Sequence, residues 1–188
     1  FGWSVSIDQD QILVGAVWEN TGLGHEGAVY VFKRLSGGTW YEIQKIKHSD
    51  MEWMDLFGHS VSISGDYFVA GAPSHPKDNL GINSLTAAGA AYIFKKNGGG
   101  LWNEIQKIVA SDRSPWDNFG QIVNISGNKI IIGAPQEDDD ALGQNTMTAA
   151  GSAYIFEETT PGNWVEVQKV VAPDRSTGDG FGNTVAIS

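Results

Sequence analysis

The chain repeats itself, and this periodicity restricts its fold more than any other property. Phe-Gly recurs at Phe1-Gly2, Phe57-Gly58, Phe119-Gly120 and Phe181-Gly182. A Gly-Ala pair follows the first three, at Gly15-Ala16, Gly71-Ala72 and Gly133-Ala134, and the last two pairs run on into Pro73 and Pro135. Next come Gly27-Ala28-Val29-Tyr30-Val31-Phe32, Gly89-Ala90-Ala91-Tyr92-Ile93-Phe94 and Gly151-Ser152-Ala153-Tyr154-Ile155-Phe156. Trp40, Trp102 and Trp164 hold the same register, as do Gln44-Lys45, Gln106-Lys107 and Gln168-Lys169. The first unit is shortened only between Gly15 and Gly27, and a deletion confined to one segment marks that segment as a loop. The units are residues 1–56, 57–118 and 119–180, and residues 181–188 open a fourth.

Inside a unit the apolar period is two, the signature of strands. Phe57, His59, Val61 and Ile63 are expected to share one face of a first strand, with Phe119, Gln121, Val123 and Ile125 repeating it. Ser64-Gly65-Asp66 and Ser126-Gly127-Asn128 supply hairpin chemistry, because Gly and Asn tolerate positive φ. Tyr67 to Ala70 reads as an inner strand, Ala90 to Lys95 as a third, and Trp102 to Val109 as a half-solvated fourth. Four antiparallel strands in a unit of about 60 residues make a propeller blade. A lone sheet cannot cover both faces, so such units must stack around an axis. The predicted fold is all-β, a β-propeller of four-stranded antiparallel blades with three blades plus one extra strand. The small Gly-Ala pair lets neighbouring sheets approach where the ring is narrow.

Charge and composition exclude several functions. Asp and Glu number 22 against 12 Lys and Arg, a net charge of -10 that repels a polyphosphate, so no nucleic-acid partner is expected. No apolar stretch approaches the roughly 18 residues of a membrane span. Cysteine is absent, which removes disulfides, thiol nucleophiles and thiolate metal sites and leaves the redox compartment open. The start at Phe1, without an initiator Met or a leader, reads as a processed or excised product. His25, His48, His59 and His75 share no repeat position and no metal-ligand spacing, and no nucleophile elbow, P-loop or dinucleotide fingerprint occurs. The chain is expected not to be an enzyme.

Phe57-Gly58 followed by Gly71-Ala72-Pro73, and Phe119-Gly120 followed by Gly133-Ala134-Pro135, resemble the FG-GAP repeat of integrin α-subunit β-propellers and of many secreted bacterial proteins. The Ser-Val-Ser-Ile-Ser-Gly-Asp, Ala-Tyr-Ile-Phe and Trp-x-Glu-x-Gln-Lys segments look closest to the bacterial members. The first unit departs in lacking the proline after Gly15-Ala16. The resemblance implies an extracellular or cell-surface binding or adhesion module that offers loops to a protein ligand. The alternatives are a multivalent lectin-like glycan binder and a non-catalytic propeller domain of a larger secreted enzyme. Many relatives carry calcium in an Asp-rich loop between the first two strands. Here that place holds Ser64-Gly65-Asp66, Ser126-Gly127-Asn128 or Asp8-Gln9-Asp10, too few oxygens for the six to eight that calcium takes. No cofactor is therefore expected.

Within each unit, Asp50, Asp112 and Asp174 keep register, as do Asp55, Asp117 and Asp179, two residues before each Phe. Identical spacing favours a turn-locking role. Binding residues are expected where units differ, in the loop after Gly-Ala-Pro and at aromatics outside the strand pattern. The candidate ligand contacts are Trp18, Trp53, His75, Lys77, Asp78 and Trp116, with Asp138, Asp139 and Asp140 as a weak cation site. Three blades and one strand do not close a ring, so further copies or the rest of a longer chain are expected to complete it.

Overall fold

A computed structural model describes residues 1–20, 22 and 24–188. The first-unit loop from Trp18 to Glu26 includes Thr21 and Leu23, which lie outside the described residues. The described residues form twelve strands and no helix, so no helix is long and apolar enough to cross a membrane. Blade one comprises β1 (Val5–Asp8), β2 (Gln11–Ala16), β3 (Ala28–Arg34) and β4 (Trp40–Ile46). Blade two comprises β5 (Val61–Ser64), β6 (Tyr67–Ala72), β7 (Ala90–Lys96) and β8 (Trp102–Ile108). Blade three comprises β9 (Ile122–Ser126), β10 (Lys129–Ala134), β11 (Ser152–Thr160) and β12 (Asn163–Val170). Each blade is a separate antiparallel meander in chain order, as alternating strands with short polar turns dictate. The fold is the predicted all-β propeller segment, and the three sheets do not close into a ring.

One expected boundary moves. The first strand of a blade begins at Val61, not at Phe57, because residues 57–60 make a turn that serves the preceding blade. Phe57 bridges Gly27 in parallel, Phe119 bridges Gly89 and Phe181 bridges Gly151. The Phe-Gly pair thus plugs into the blade before it, and Phe57 and Phe119 are fully buried. This approach requires glycine. A Cβ on Gly71 would lie 1.8 Å from the Gly120 carbonyl oxygen, and one on Gly89 would lie 2.1 Å from that of Phe119. The Gly-Ala pair therefore permits the close packing expected of it, and its contact is the Phe-Gly backbone of the next unit.

The innermost strands β1, β5 and β9 lie side by side around the axis, while the outer β8 and β12 barely touch, which is the wedge geometry of a propeller. Serines on and immediately before the inner strands knit them together. Ser62 Oγ accepts from the Ile125 amide at 3.1 Å, Ser60 Oγ from that of Val123 at 3.0 Å, and Ser6 Oγ from that of Ile63 at 3.2 Å. Asn124 takes the same part for Ile187 at 3.0 Å, so residues 181–188 lie against blade three as β9 lies against β5.

The hydrophobic core fills the seams between blades and not the blades themselves. The first seam joins Leu13, Val29 and Val31 of blade one to Phe57, Phe68, Phe94 and Trp102. The second joins Val69, Ala91 and Ile93 to Phe119, Ile130, Tyr154 and Trp164. At the rim, the Gln44 side-chain amide clamps the backbone of Trp102 through two bonds of 2.8 Å, and Gln106 clamps Trp164 in the same way. Glu104 binds the amide and hydroxyl of Ser49, and Glu166 those of Ser111. The Trp-x-Glu-x-Gln-Lys pattern is accordingly a set of fasteners between blades.

Candidate functional site

Two linkers and one long loop build a cleft on one end of blade two. The linker from β4 to β5 brings Trp53 and Met54, and the linker from β8 to β9 brings Trp116. Between them, the β6–β7 loop supplies a floor of Ser74, Pro76, Thr86 and Ala87. The cleft, open to solvent, has a volume of about 360 Å³. Trp53 and Trp116 are 66% and 64% exposed, so both indoles reach solvent. Backbone bonds hold the walls: the Trp116 amide donates to the Thr86 carbonyl at 2.8 Å, Asn118 to Ala87 at 3.0 Å, and Met54 to Gly24 at 3.0 Å.

Trp116 occupies a position that does not suit it. Its φ is 74°, in the left-handed region where a bulky residue is strained. The counterparts one unit away are Met54, with φ 59°, and Gly178, with φ 83°. The third unit solves the turn with glycine, while the second holds an indole there at the expense of backbone strain. Trp53 likewise has no aromatic counterpart, since Pro115 and Thr177 stand in its place.

Beneath this floor lies a buried polar cluster. His48 and Asp55 come from the β4–β5 linker and His75 from the β6–β7 loop, and all three are buried. His75 Nδ1 is 2.9 Å from Asp55 Oδ1, and His48 Nε2 is 3.0 Å from Asp55 Oδ2. The outer nitrogens face a second carboxylate: His48 Nδ1 is 3.2 Å from Asp50 Oδ1, and His75 Nε2 is 3.3 Å from Asp50 Oδ2. The Tyr92 hydroxyl donates to Asp50 Oδ1 at 2.7 Å and Lys107 Nζ donates to Oδ2 at 2.8 Å. Lys107 Nζ also reaches His75 Nε2 and the Asp78 carbonyl, each at 2.7 Å. Burial opposes the charged forms of His48, Asp50, Asp55 and Lys107. For His48 the two carboxylates outweigh it and raise the imidazole pKa, whereas for Lys107 burial prevails and lowers the ammonium. The Asp50 and Asp55 carboxyls sit below the ordinary carboxylate range, because the neighbouring imidazoles outweigh the burial penalty.

The second seam keeps part of this plan. Tyr154 and Lys169 hold Asp112 at 2.8 and 2.6 Å, as Tyr92 and Lys107 hold Asp50. Ala110 stands where His48 was, and Glu137 replaces His75. Burial and the neighbouring Glu137 carboxylate push Asp117 up to about 8. Asp55, Asp117 and Asp179 each also accept from an amide three residues back, at 2.5, 2.5 and 2.6 Å, the turn lock read from their spacing. Asp50 and Asp112 differ, serving the next blade through Tyr and Lys.

The other sequence candidates separate. Trp18 stands apart from the cleft, edge-on to Trp3 at 6.4 Å and to His25 at 5.5 Å. Lys77 pairs with Glu52. Asp78 accepts from Leu80 and Ile82 amides and from Asn83 Nδ2, and Asp140 makes the same three bonds with Leu142, Gln144 and Asn145. Asp138 accepts from the Ala149 amide and Asp139 from the Thr146 hydroxyl, so these carboxylates serve different donors within their loop. Among the described residues, the group whose ligand atoms converge on one point is His48, Asp55 and His75. Sequence reading named His75 as a ligand contact but gave Asp55 a turn role and His48 none, and it did not single out Met54, Ser74, Pro76, Thr86 and Ala87. The available signal was that His48 and His75 interrupt positions held in the next unit by Ala110 and Glu137.

Comparison with curated proteins gives no match. A profile of the FG-GAP repeat does match, over residues 1–32, 40–94, 102–156 and 164–188. These segments contain every Phe-Gly plug and every Gly-Ala pair that the blades use to pack, and on that ground the chain belongs to the FG-GAP repeat family.

Proposed function

We propose that this FG-GAP segment is a non-catalytic, extracellular binding module that grips an apolar side chain of a protein ligand between Trp53 and Trp116. The observation carrying this reading is Trp116 itself, an exposed indole kept at φ 74° where the third unit uses glycine. Strain of this kind costs roughly 1–3 kcal/mol and persists where function requires the residue. Paired, exposed tryptophans over an apolar floor are the composition of a protein-binding hot spot. A glycan site would need several polar groups around the stacking ring to fix hydroxyls, and the lining offers only the Ser74 and Thr86 hydroxyls.

The test is selection from a displayed peptide library in parallel with a glycan array, using the unaltered chain and Trp53→Ala and Trp116→Gly variants. Enrichment of peptides with an aromatic or aliphatic anchor, lost in both variants, is the expected result. Array binding without peptide enrichment would transfer the function to a lectin.

A further inference from the structure

We propose that His48, Asp55 and His75 form a binding site for a transition-metal dication of the zinc class, which staples the β4–β5 linker to the β6–β7 loop across the first seam. Their ligand atoms lie within 4.8 Å of one another, and a tetrahedral ion with bonds of about 2.0–2.2 Å draws such atoms to roughly 3.3 Å apart. Two imidazoles and one carboxylate are donors suited to zinc, cobalt or nickel; calcium and magnesium prefer oxygen alone.

A separate observation points the same way. His48 Nε2 is buried and makes no hydrogen bond, since its 3.0 Å approach to Asp55 lacks the direction of one. An orphaned, buried imidazole nitrogen beside a carboxylate is a donor without a recipient. The surroundings supply what a metal-bound histidine needs behind it. Each ring presents one nitrogen to Asp55 and the other to Asp50, which is the carboxylate partner that orients a ligating imidazole. Lys107 and Tyr92 fix that carboxylate. With an ion at the Asp55 side, His75 binds through Nδ1 and turns Nε2–H toward Asp50. Lys107 then gives up its contact with His75 and keeps Asp50 and the Asp78 carbonyl. The ion lies under the cleft, because His75 stands between Ser74 and Pro76 of its floor.

The second seam is a built-in control. With Ala110 and Glu137 in place of the two histidines it offers no imidazole ligand, and among the described residues the cluster occurs at the first seam. The first of those residues provides a variant already compatible with the fold, His48→Ala, and His75→Gln removes the second imidazole without supplying a carboxylate ligand. The experiment loads the chelator-treated 188-residue chain with Co²⁺ and follows visible absorption, then repeats the titration calorimetrically with Zn²⁺ and with Ca²⁺. One equivalent of Co²⁺ is expected to give intense tetrahedral bands. One equivalent of Zn²⁺ is expected to bind and to raise the melting temperature by several degrees, with Ca²⁺ inert. Both variants should weaken zinc binding by about 100-fold or more. An unchanged aqueous Co²⁺ spectrum overturns the proposal without recourse to any variant, and so does a zinc response that survives both substitutions.

Discussion

Trp116 and Gly71 show that two residues can be constrained by opposite demands. At Trp116 the backbone favours glycine, and the side chain is the part to which the proposed function assigns binding. Trp116→Gly is therefore expected to unfold at the same or slightly higher urea concentration than the parent, a difference within about 1 kcal/mol, while peptide binding is lost. At Gly71 the φ is ordinary and the space is missing, because the Gly120 carbonyl occupies the place of a Cβ. Gly71→Ala should cost about 3 kcal/mol or more by urea denaturation, since backbone, not a pliant side chain, must move. Gly65 is the contrast, with φ 60° and open space around it, so Gly65→Ala should cost only about 1–2 kcal/mol. Asp117 adds a pH signature. Its carboxyl is pushed up to about 8, so the native chain holds a proton that the unfolded chain releases near pH 4. Stability is thus expected to fall as pH rises from about 4 to 8, by at most about 1.4 kcal/mol per unit, and Asp117→Asn should flatten that slope in urea midpoints taken from pH 5 to 9.

The strands were legible from period two and from the Gly-Asp and Gly-Asn turns, because those signals are local. The first-strand boundary was not, since whether Phe57 pairs within its own blade or plugs the previous one is decided by a bridge to Gly27 that no local pattern encodes. The same reason hid the fasteners. Gln44 and Gln106 read as the polar face of an edge strand, yet each saturates the backbone of a tryptophan in the following blade. Gln106→Leu should destabilise the chain by about 1–3 kcal/mol, measured by thermal or urea unfolding, because it strips partners from the Trp164 backbone. Within the candidate site, Trp53 and Trp116 were legible as aromatics outside the strand rhythm. The His48–Asp55–His75 cluster was not, because His75 sits in the β6–β7 loop, remote in sequence from the β4–β5 linker that carries His48 and Asp55, and meets them only in the folded chain.

The core between blades leaves one apolar face uncovered at the first. Phe1, Trp3, Val5 and Ile7 are 74%, 54%, 67% and 63% exposed, whereas the matching Phe57, Val61 and Ile63 lie within the first seam. At the far end, residues 181–188 fold back on blade three around Ile131, Ile155 and Val170, where a following blade would dock. The isolated 188-residue polypeptide is expected to associate through these faces, with a sedimentation mass that rises with concentration and that Val5→Lys with Ile7→Lys should return to the monomer; in a longer chain, neighbouring blades would cover the same faces. The blades also govern the cleft. Trp53 hangs from the linker across the first seam and Trp116 from the linker across the second, so the two walls of the cleft are carried by different inter-blade connections. Under the proposed function, anything that changed the pitch between these three blades would shift Trp53 relative to Trp116, and the width of the cleft would follow the angle at which the blades meet.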